Sequence, residues 1–371
     1  MRVVIVGCGV VGAAIAYELS LLPSVQVTVL DRQPPAQDST GAALGVLMGI
    51  ISQKTKGRAW EMRQVSLRCY ETLIPELEAA TGETIPYNRQ GILLLRLDAN
   101  GAVADGHDNG EAKWRSLIDQ RHRQGWQLEA WDAALVQERC PHVAPVVPAI
   151  YSPQDRQLHP TQLTHALVKA AQQNGVTFHF DAPVQALEWV AEGDRSRCTA
   201  VKTPQQRWAA DWVILSAGLG SLPLLQAQPE PLRLVPVLGQ ALQVRLPKSM
   251  GNPDFQPVIT GDDIHIVPLG NAEYWVGATV EFPPDGGELV ADEAMLEQVW
   301  QRAIALCPAL KEATILRTWS GRRPRPTNRP APVIDYLTGS TNVVLATGHY
   351  RNGVLLAPAT AEKVKALLAL A

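Results

Sequence analysis

Gly7, Gly9 and Gly12 stand at the spacing G-x-G-x-x-G, and Asp31 follows nineteen residues beyond the last of them. Glycines so placed let backbone N–H groups reach a pyrophosphate at a helix N-terminus, and an acid after the next strand can bond a ribose hydroxyl. Gly7 permits the tight turn, Gly9 the close approach of the phosphates, and Gly12 the packing of helix on strand. Val10 and Val11 open that helix, and Asp31 with Arg32 ends a strand predicted over 25–30. An acid rather than a base at position 31 favours NAD or the AMP half of FAD over NADP.

Around this turn the chain alternates strand-like and helix-like stretches. A β-branched run precedes Gly7, and a compact helix with Ala13, Ala14, Ile15, Ala16 and Leu19 follows. Ser39-Thr-Gly-Ala-Ala-Leu-Gly45 is a second turn of small residues, suited to lie against a flat or phosphorylated ligand. A helical period spans 60–81, with Pro75 expected to break or kink it. A strand is expected over 91–97, a loose polar excursion over 98–110, and helices over 113–124 and 130–140. A helix opening at Pro160, strands over 176–180, 212–218 and 343–348, and a closing helix over 359–370 read as returning nucleotide-domain elements. Strands over 235–245, 265–268 and 274–279 suggest a larger antiparallel sheet, and 292–306 an amphipathic helix.

The implied fold is mixed α/β: a Rossmann-like dinucleotide domain with an interleaved substrate domain. The first is expected over 1–84, 159–230 and 330–371, the second over 85–158 and 231–329. A length of 371 residues exceeds what one core usually organises, which favours two packed domains. A formal net charge of −3 and no dense basic run give no footprint for nucleic acid or anionic membrane. No stretch is apolar enough to span a bilayer, the N-terminus does not read as a signal peptide, and a cytoplasmic location is the default expectation. Five scattered cysteines lack metal-ligand or disulfide spacing, so no metal is expected. Cys8, inside the glycine turn, is read as a small packing residue.

Four segments together resemble a known family: Gly7-Cys-Gly-Val-Val-Gly12, Ser39-Thr-Gly-Ala-Ala-Leu-Gly45, Trp319-Ser-Gly-Arg-Arg-Pro324 and Gly348-His-Tyr-Arg-Asn-Gly-Val-Leu-Leu-Ala-Pro-Ala-Thr360. Their combination is similar to the D-amino-acid-oxidase superfamily of flavoproteins, and within it to the glycine oxidases of thiamine biosynthesis. The resemblance implies FAD, held by Gly7, Gly9, Gly12 and Asp31 at its ADP end. It implies Ser39, Thr40 and Ala43 around the pyrophosphate and flavin, and a backbone contact from Val184 to adenine. Ala217 and Gly218 end a strand suited to close passage of the cofactor, and Asn352, Gly353 and Val354 continue the C-terminal motif. Arg323 and Arg351 would lie around the flavin, with Arg351 binding the substrate carboxylate. A guanidinium fork matches both carboxylate oxygens, which independently suits that task.

The implied reaction is hydride transfer from an amino acid or amine to flavin N5, then reoxidation by O2 to H2O2, without a protein base. Glycine, sarcosine and small D-amino acids are the implied substrates. His265 stands where glycine oxidases carry a carboxylate-binding tyrosine, and a histidine there could also change charge near neutral pH. Val280 stands where the family has a methionine near the substrate. No cysteine follows Cys307, so FAD is expected to be noncovalent, unlike in the sarcosine-oxidase branch. A dehydrogenase passing electrons to another acceptor, and a non-catalytic flavoprotein scaffold, remain alternatives. The resemblance also implies a homo-oligomer, and the chain's ending about a helix after its last motif gives the expectation that the thiazole-forming partner fused to some relatives is absent.

Overall fold

The computed structural model describes residues 1–95, 110–144, 149–226, 232–284 and 288–368. Strand Arg2–Val6 lies inside a six-stranded sheet, and its β-branched run Val3 to Val6 is buried on both sides. From one edge the strands are Val333–Tyr336, Val343–Thr347, Trp212–Leu215, Arg2–Val6, Gln26–Leu30 and Thr177–His179. All pairs are parallel except Val333–Tyr336 with Val343–Thr347.

Side chains alternate across a strand, so one apolar run serves two cores. Val3, Ile5, Val27, Val29 and Ile214 face a layer that includes helices Val10–Ser20, Pro160–Gln173 and Gly353–Leu367. Val4, Val6, Leu30, Val213 and Leu215 face the other way, onto Leu187, Cys198 and Val201. Those last three belong to an antiparallel meander of Ala186–Glu192, Arg195–Lys202 and Arg207–Ala209.

The second large sheet has eight strands, in the order Thr314–Pro326, Leu234–Arg245, Glu273–Gly277, Ile264–Gly270, Val258–Gly261, Ile92–Leu94, Ala149–Ser152 and Glu129–Trp131. It is antiparallel except where Val258–Gly261 runs parallel to Ile92–Leu94. Helix Glu293–Leu306, capped by the Asp292 carboxylate on the Ala294 N–H at 2.8 Å, packs Val299, Ala303 and Leu306 against one face.

Several local expectations change. The helix Gly57–Thr81 continues through Pro75, which is exposed, so the carbonyl freed four residues earlier can be hydrated while Leu73, Ile74 and Leu77 hold the buried face. The stretch expected as one helix over 130–140 divides into strand Glu129–Trp131 and helix Ala133–Arg139, because Asp132 caps the Leu135 N–H. The C-terminal helix begins at Gly353, six residues earlier than expected, and runs through Pro358 to Leu367. The excursion expected over 98–110 lies almost wholly outside the described residues. No helix among the described residues is long and apolar enough to cross a membrane.

Candidate active site

The first strand ends at Val6 and turns through Gly7, whose φ of 104° is open to glycine at little cost. A Cβ on Gly7 would lie 2.6 Å from the Cα of Ala217, so strand and turn fit only without one. The helix beginning at Val10 aims its N-terminus into a cleft of about 820 Å³, lined there by Gly9, Val10 and Val11. Thr40 Oγ1 accepts from the Val10 N–H at 3.1 Å and ties the second small-residue turn to the first. Ser39 donates to the Arg322 carbonyl at 2.6 Å and Trp319 Nε1 to the Ala42 carbonyl at 3.1 Å, bracing this turn against the eight-stranded sheet.

Asp31 lines the same end of the cleft. Its carboxylate accepts the Cys8 N–H at 2.5 Å and the Gln33 N–H at 3.0 Å. Burial raises its pKa, and those two N–H donors pull the other way. Arg32 also lines the cleft and pairs on the surface with Asp38 at 2.8 Å. Cys8 is fully buried, and burial followed by the charge of Asp31 pushes its thiol up, so it packs and does not react.

The cleft continues past Ser39, Ala43, Val184, Ala217 and Gly218 to Gly353, Val354, Arg323 and Arg351. Gly12 and Asn352 do not line it. Gly12 sits where a Cβ would be 2.7 Å from Ser216 Oγ, and Asn352 precedes the last helix, accepting from Arg63 Nη2 at 3.3 Å.

Arg351 is carried by the turn from strand Val343–Thr347 into helix Gly353–Leu367. Tyr350, with φ 54°, donates its N–H to the Pro324 carbonyl at 3.1 Å. Asn352 donates its N–H to the His349 carbonyl at 3.0 Å, and His349 Nε2 meets Thr360 Oγ1 at 2.9 Å. The Arg351 guanidinium engages both oxygens of Asp263, Nη2 to Oδ1 at 3.1 Å and Nη1 to Oδ2 at 3.3 Å. Arg323, half-buried on strand Thr314–Pro326, donates Nη1 to the carbonyls of Leu238 at 3.0 Å and Thr279 at 3.1 Å. Burial, then the neighbouring Arg351 cation, lowers its pKa.

His265 lines the cleft beside these two arginines, its Nδ1 at 2.6 Å from Thr260 Oγ1. Loss of hydration, then the Arg351 cation, pushes its pKa down to about 4. The ring is therefore neutral through the physiological range, which corrects the expectation that its charge responds near neutral pH. Val280 does not line the cleft; Ala278, two residues earlier, does. Sequence reasoning missed Asp263, Thr260, Gly239 and Ala278. Only the turn carrying Asp263 had a local signal, two adjacent acids between strand-like runs.

The donor set fits a flavin dinucleotide. A Cβ-free turn opens a helix N-terminus for a diphosphate, an acid waits one strand away, and an elongated cleft leads to a pair of cations. No group of acidic, histidine or cysteine side chains with metal-binding geometry occurs among the described residues.

Known proteins agree with this geometry. The chain is 32% identical over 371 residues to the bifunctional protein ThiO/ThiG of Synechocystis, covering 99% of this chain and 51% of that one, so it spans about half of that relative's length. It is 29% identical to a glycine oxidase of Pseudomonas putida, covering 99% of this chain and 94% of the relative. The crystal structure of glycine oxidase from Geobacillus kaustophilus superposes with a TM-score of 0.85 at 24% identity, over 99% of this chain and 95% of that one, and so shares the fold. The model of the FAD dependent oxidoreductase family, DAO, matches residues 2–367, which takes in both sheets and every wall of the cleft, and the chain belongs to that family.

Proposed function

We propose that this protein is an FAD-dependent oxidase of small amino acids or amines, with glycine, sarcosine and small D-amino acids as its substrate class. The observation that carries the reading is the Arg351 fork, which opens on the cleft and already holds a carboxylate in two-point geometry at 3.1 and 3.3 Å. The relatives named glycine oxidase support the same chemistry.

The helix N-terminus at Val10 would take the cofactor's diphosphate, and Asp31 a ribose hydroxyl. FAD, when bound, supplies the acceptor for two electrons from the substrate, leaving an imine that water hydrolyses, and O2 takes those electrons to give H2O2. Arg351 would fix the substrate by its carboxylate, and Arg323, held by the Leu238 and Thr279 carbonyls, adds a second positive charge nearby. His265 is neutral, and with Nδ1 turned to Thr260 it offers Nε2 for one hydrogen bond. His349 lines the cleft but is occupied by Thr360 and pushed down to about 3, so it is no base at neutral pH either. The amine would arrive already deprotonated from solvent, and the protein's contribution is orientation. Five free cysteines suit the cytoplasm, where this reading locates the enzyme.

The test is anaerobic mixing of the yellow holoprotein with glycine, sarcosine and D-alanine, followed by admission of air. Loss of the oxidised flavin band and then stoichiometric H2O2 are expected. Bleaching by none of the three would overturn the substrate class, and bleaching without H2O2 would overturn the oxidase assignment.

A further inference from the structure

The two-residue turn between strands Val258–Gly261 and Ile264–Gly270 is made of two acids, Asp262 and Asp263, with φ of 48° and 61°. Gly261 pairs directly with Ile264 across it, so the turn is tight and its side chains have little freedom of approach. They leave in different directions. Asp262 accepts from Arg302 Nη1 on helix Glu293–Leu306 at 2.8 Å, which pins the turn to the helix packed on the sheet. Asp263 takes both its oxygens to the Arg351 fork.

We propose that Asp263 is a specificity-determining residue that occupies the Arg351 fork in the substrate-free enzyme and is displaced by the substrate's carboxylate. This rests on the reading above, that Arg351 is the carboxylate ligand, and adds a competitor for it.

The exposures of the two side chains make displacement feasible. Asp263 is 70% exposed and Arg351 33% exposed. Charge pairs in contact with water are weak, whereas a dry pair would hold the fork shut. A substrate carboxylate enclosed against the cleft wall makes the same two bonds with less solvent screening, and the released Asp263 returns to water. The affinity of any carboxylate is then the difference between its own bonds to Arg351 and those of Asp263. A ligand that engages the fork through one oxygen loses that exchange, while one that presents both oxygens wins it. Asp263 therefore filters for ligands with an unhindered carboxylate at the end that enters first.

Acetate is the probe, being a carboxylate with no amine to oxidise, and its binding to the FAD-loaded enzyme is read from the perturbation of the flavin spectrum. Asp263→Asn keeps a residue that tolerates positive φ and so preserves the turn. It is expected to bind acetate about two- to fivefold more tightly than the wild type, the range set by a solvent-exposed ion pair. Arg351→Met is expected to bind acetate at least tenfold more weakly. If Asp263→Asn binds acetate no more tightly while Arg351→Met loses binding, the competitor role is overturned and the carboxylate ligand stands. If Arg351→Met binds acetate as well as the wild type, both fail. Equal flavin content and melting temperature in the three proteins guard against a folding artefact.

Discussion

Gly239 lies against the guanidinium group of Arg323, so closely that a Cβ added at Gly239 would fall among the Arg323 Nη1, Nη2 and Cζ atoms. The bare backbone of strand Leu234–Arg245 lets that side chain reach the Leu238 and Thr279 carbonyls. Gly239→Ala must push Arg323 off both. The guanidinium is the far end of a flexible side chain and can swing aside, so the expected cost in stability is that of its two hydrogen bonds, about 1–3 kcal/mol. The expected fall in kcat/KM is on the order of 10²-fold, since a small displacement next to the proposed reacting centre has that effect. Thermal unfolding and steady-state kinetics on the same preparation check both, and wild-type kinetics in Gly239→Ala would exclude a working role for Arg323.

Asp31 holds two backbone donors, Cys8 N–H and Gln33 N–H, and keeps the remainder of its carboxylate toward the cleft. Asp31→Ala strands both donors and removes the acceptor proposed for the cofactor's ribose. FAD affinity is expected to fall roughly 10- to 100-fold, equivalent to about 1–3 kcal/mol. Flavin fluorescence on dilution measures the release. Substrate binding at the far end of the cleft is expected to change little once FAD is saturating.

Legibility in the sequence followed distance along the chain. The glycine turn and Asp31 act through residues within one strand–helix–strand unit, so their spacing carries the geometry. The Arg351–Asp263 pair joins positions 88 residues apart, and no local pattern announces it. Strand Thr314–Pro326 carries Arg317, Arg322, Arg323 and Arg325, yet only Arg323 turns inward to the Leu238 and Thr279 carbonyls, a choice made by the neighbouring strand and Gly239. Charge states were hidden for the same reason: His265 is neutral because of burial and Arg351, which only the assembled site supplies. Pro75 does not break its helix, because the apolar packing of Leu73, Ile74 and Leu77 holds the helix together across it. The meander over 186–209 escaped notice because much of its first strand is exposed and lacks a clean alternation.

The lowered pKa of His265 predicts the pH profile of turnover. With the ring neutral above about 4, kcat/KM is expected to show no inflection attributable to it between pH 5.5 and 9. His265→Gln retains a hydrogen-bond donor and removes the titration, so its pH profile is expected to parallel that of the wild type. A limb near pH 6.5 that vanishes in the variant would show that the ring gains a proton in the working enzyme.

His349 makes the corresponding prediction for stability. Buried against Thr360, it is pushed down to about 3, while in the unfolded chain it titrates near 6.5. Between these values the unfolded state binds the extra proton, so stability is complete above pH 6.5 and declines as pH falls toward 3. The contribution to the slope is at most about 1.4 kcal/mol per pH unit. Urea unfolding of wild type and His349→Gln at pH 7.5 and pH 5 measures it, and the variant is expected to lose less stability across that interval.

Asp155 offers the largest stability effect. It is fully buried, and its two oxygens accept the N–H groups of Gly49 at 2.7 Å, Ile50 at 2.9 Å and Ile51 at 2.8 Å. From the other side Arg121, buried over the Trp60 ring, donates to the carbonyls of Ile50 at 2.6 Å, Ser52 at 2.7 Å and Lys54 at 2.9 Å. One loop thus has its donors satisfied by an acid and its acceptors by a base. Two residues separate it from Leu44, Gly45 and Val46, which line the cleft. Asp155→Ala leaves three buried donors without partners and removes a negative charge that favours the cations of Arg121 and Arg63, for an expected loss of about 3–5 kcal/mol. Asp155→Asn retains one acceptor oxygen and is expected to lose less. Because the loop anchors a cleft wall, FAD retention should fall in the same order, alanine below asparagine below wild type. A melting temperature lowered in Asp155→Ala with FAD affinity intact would mean that the loop supports the core alone.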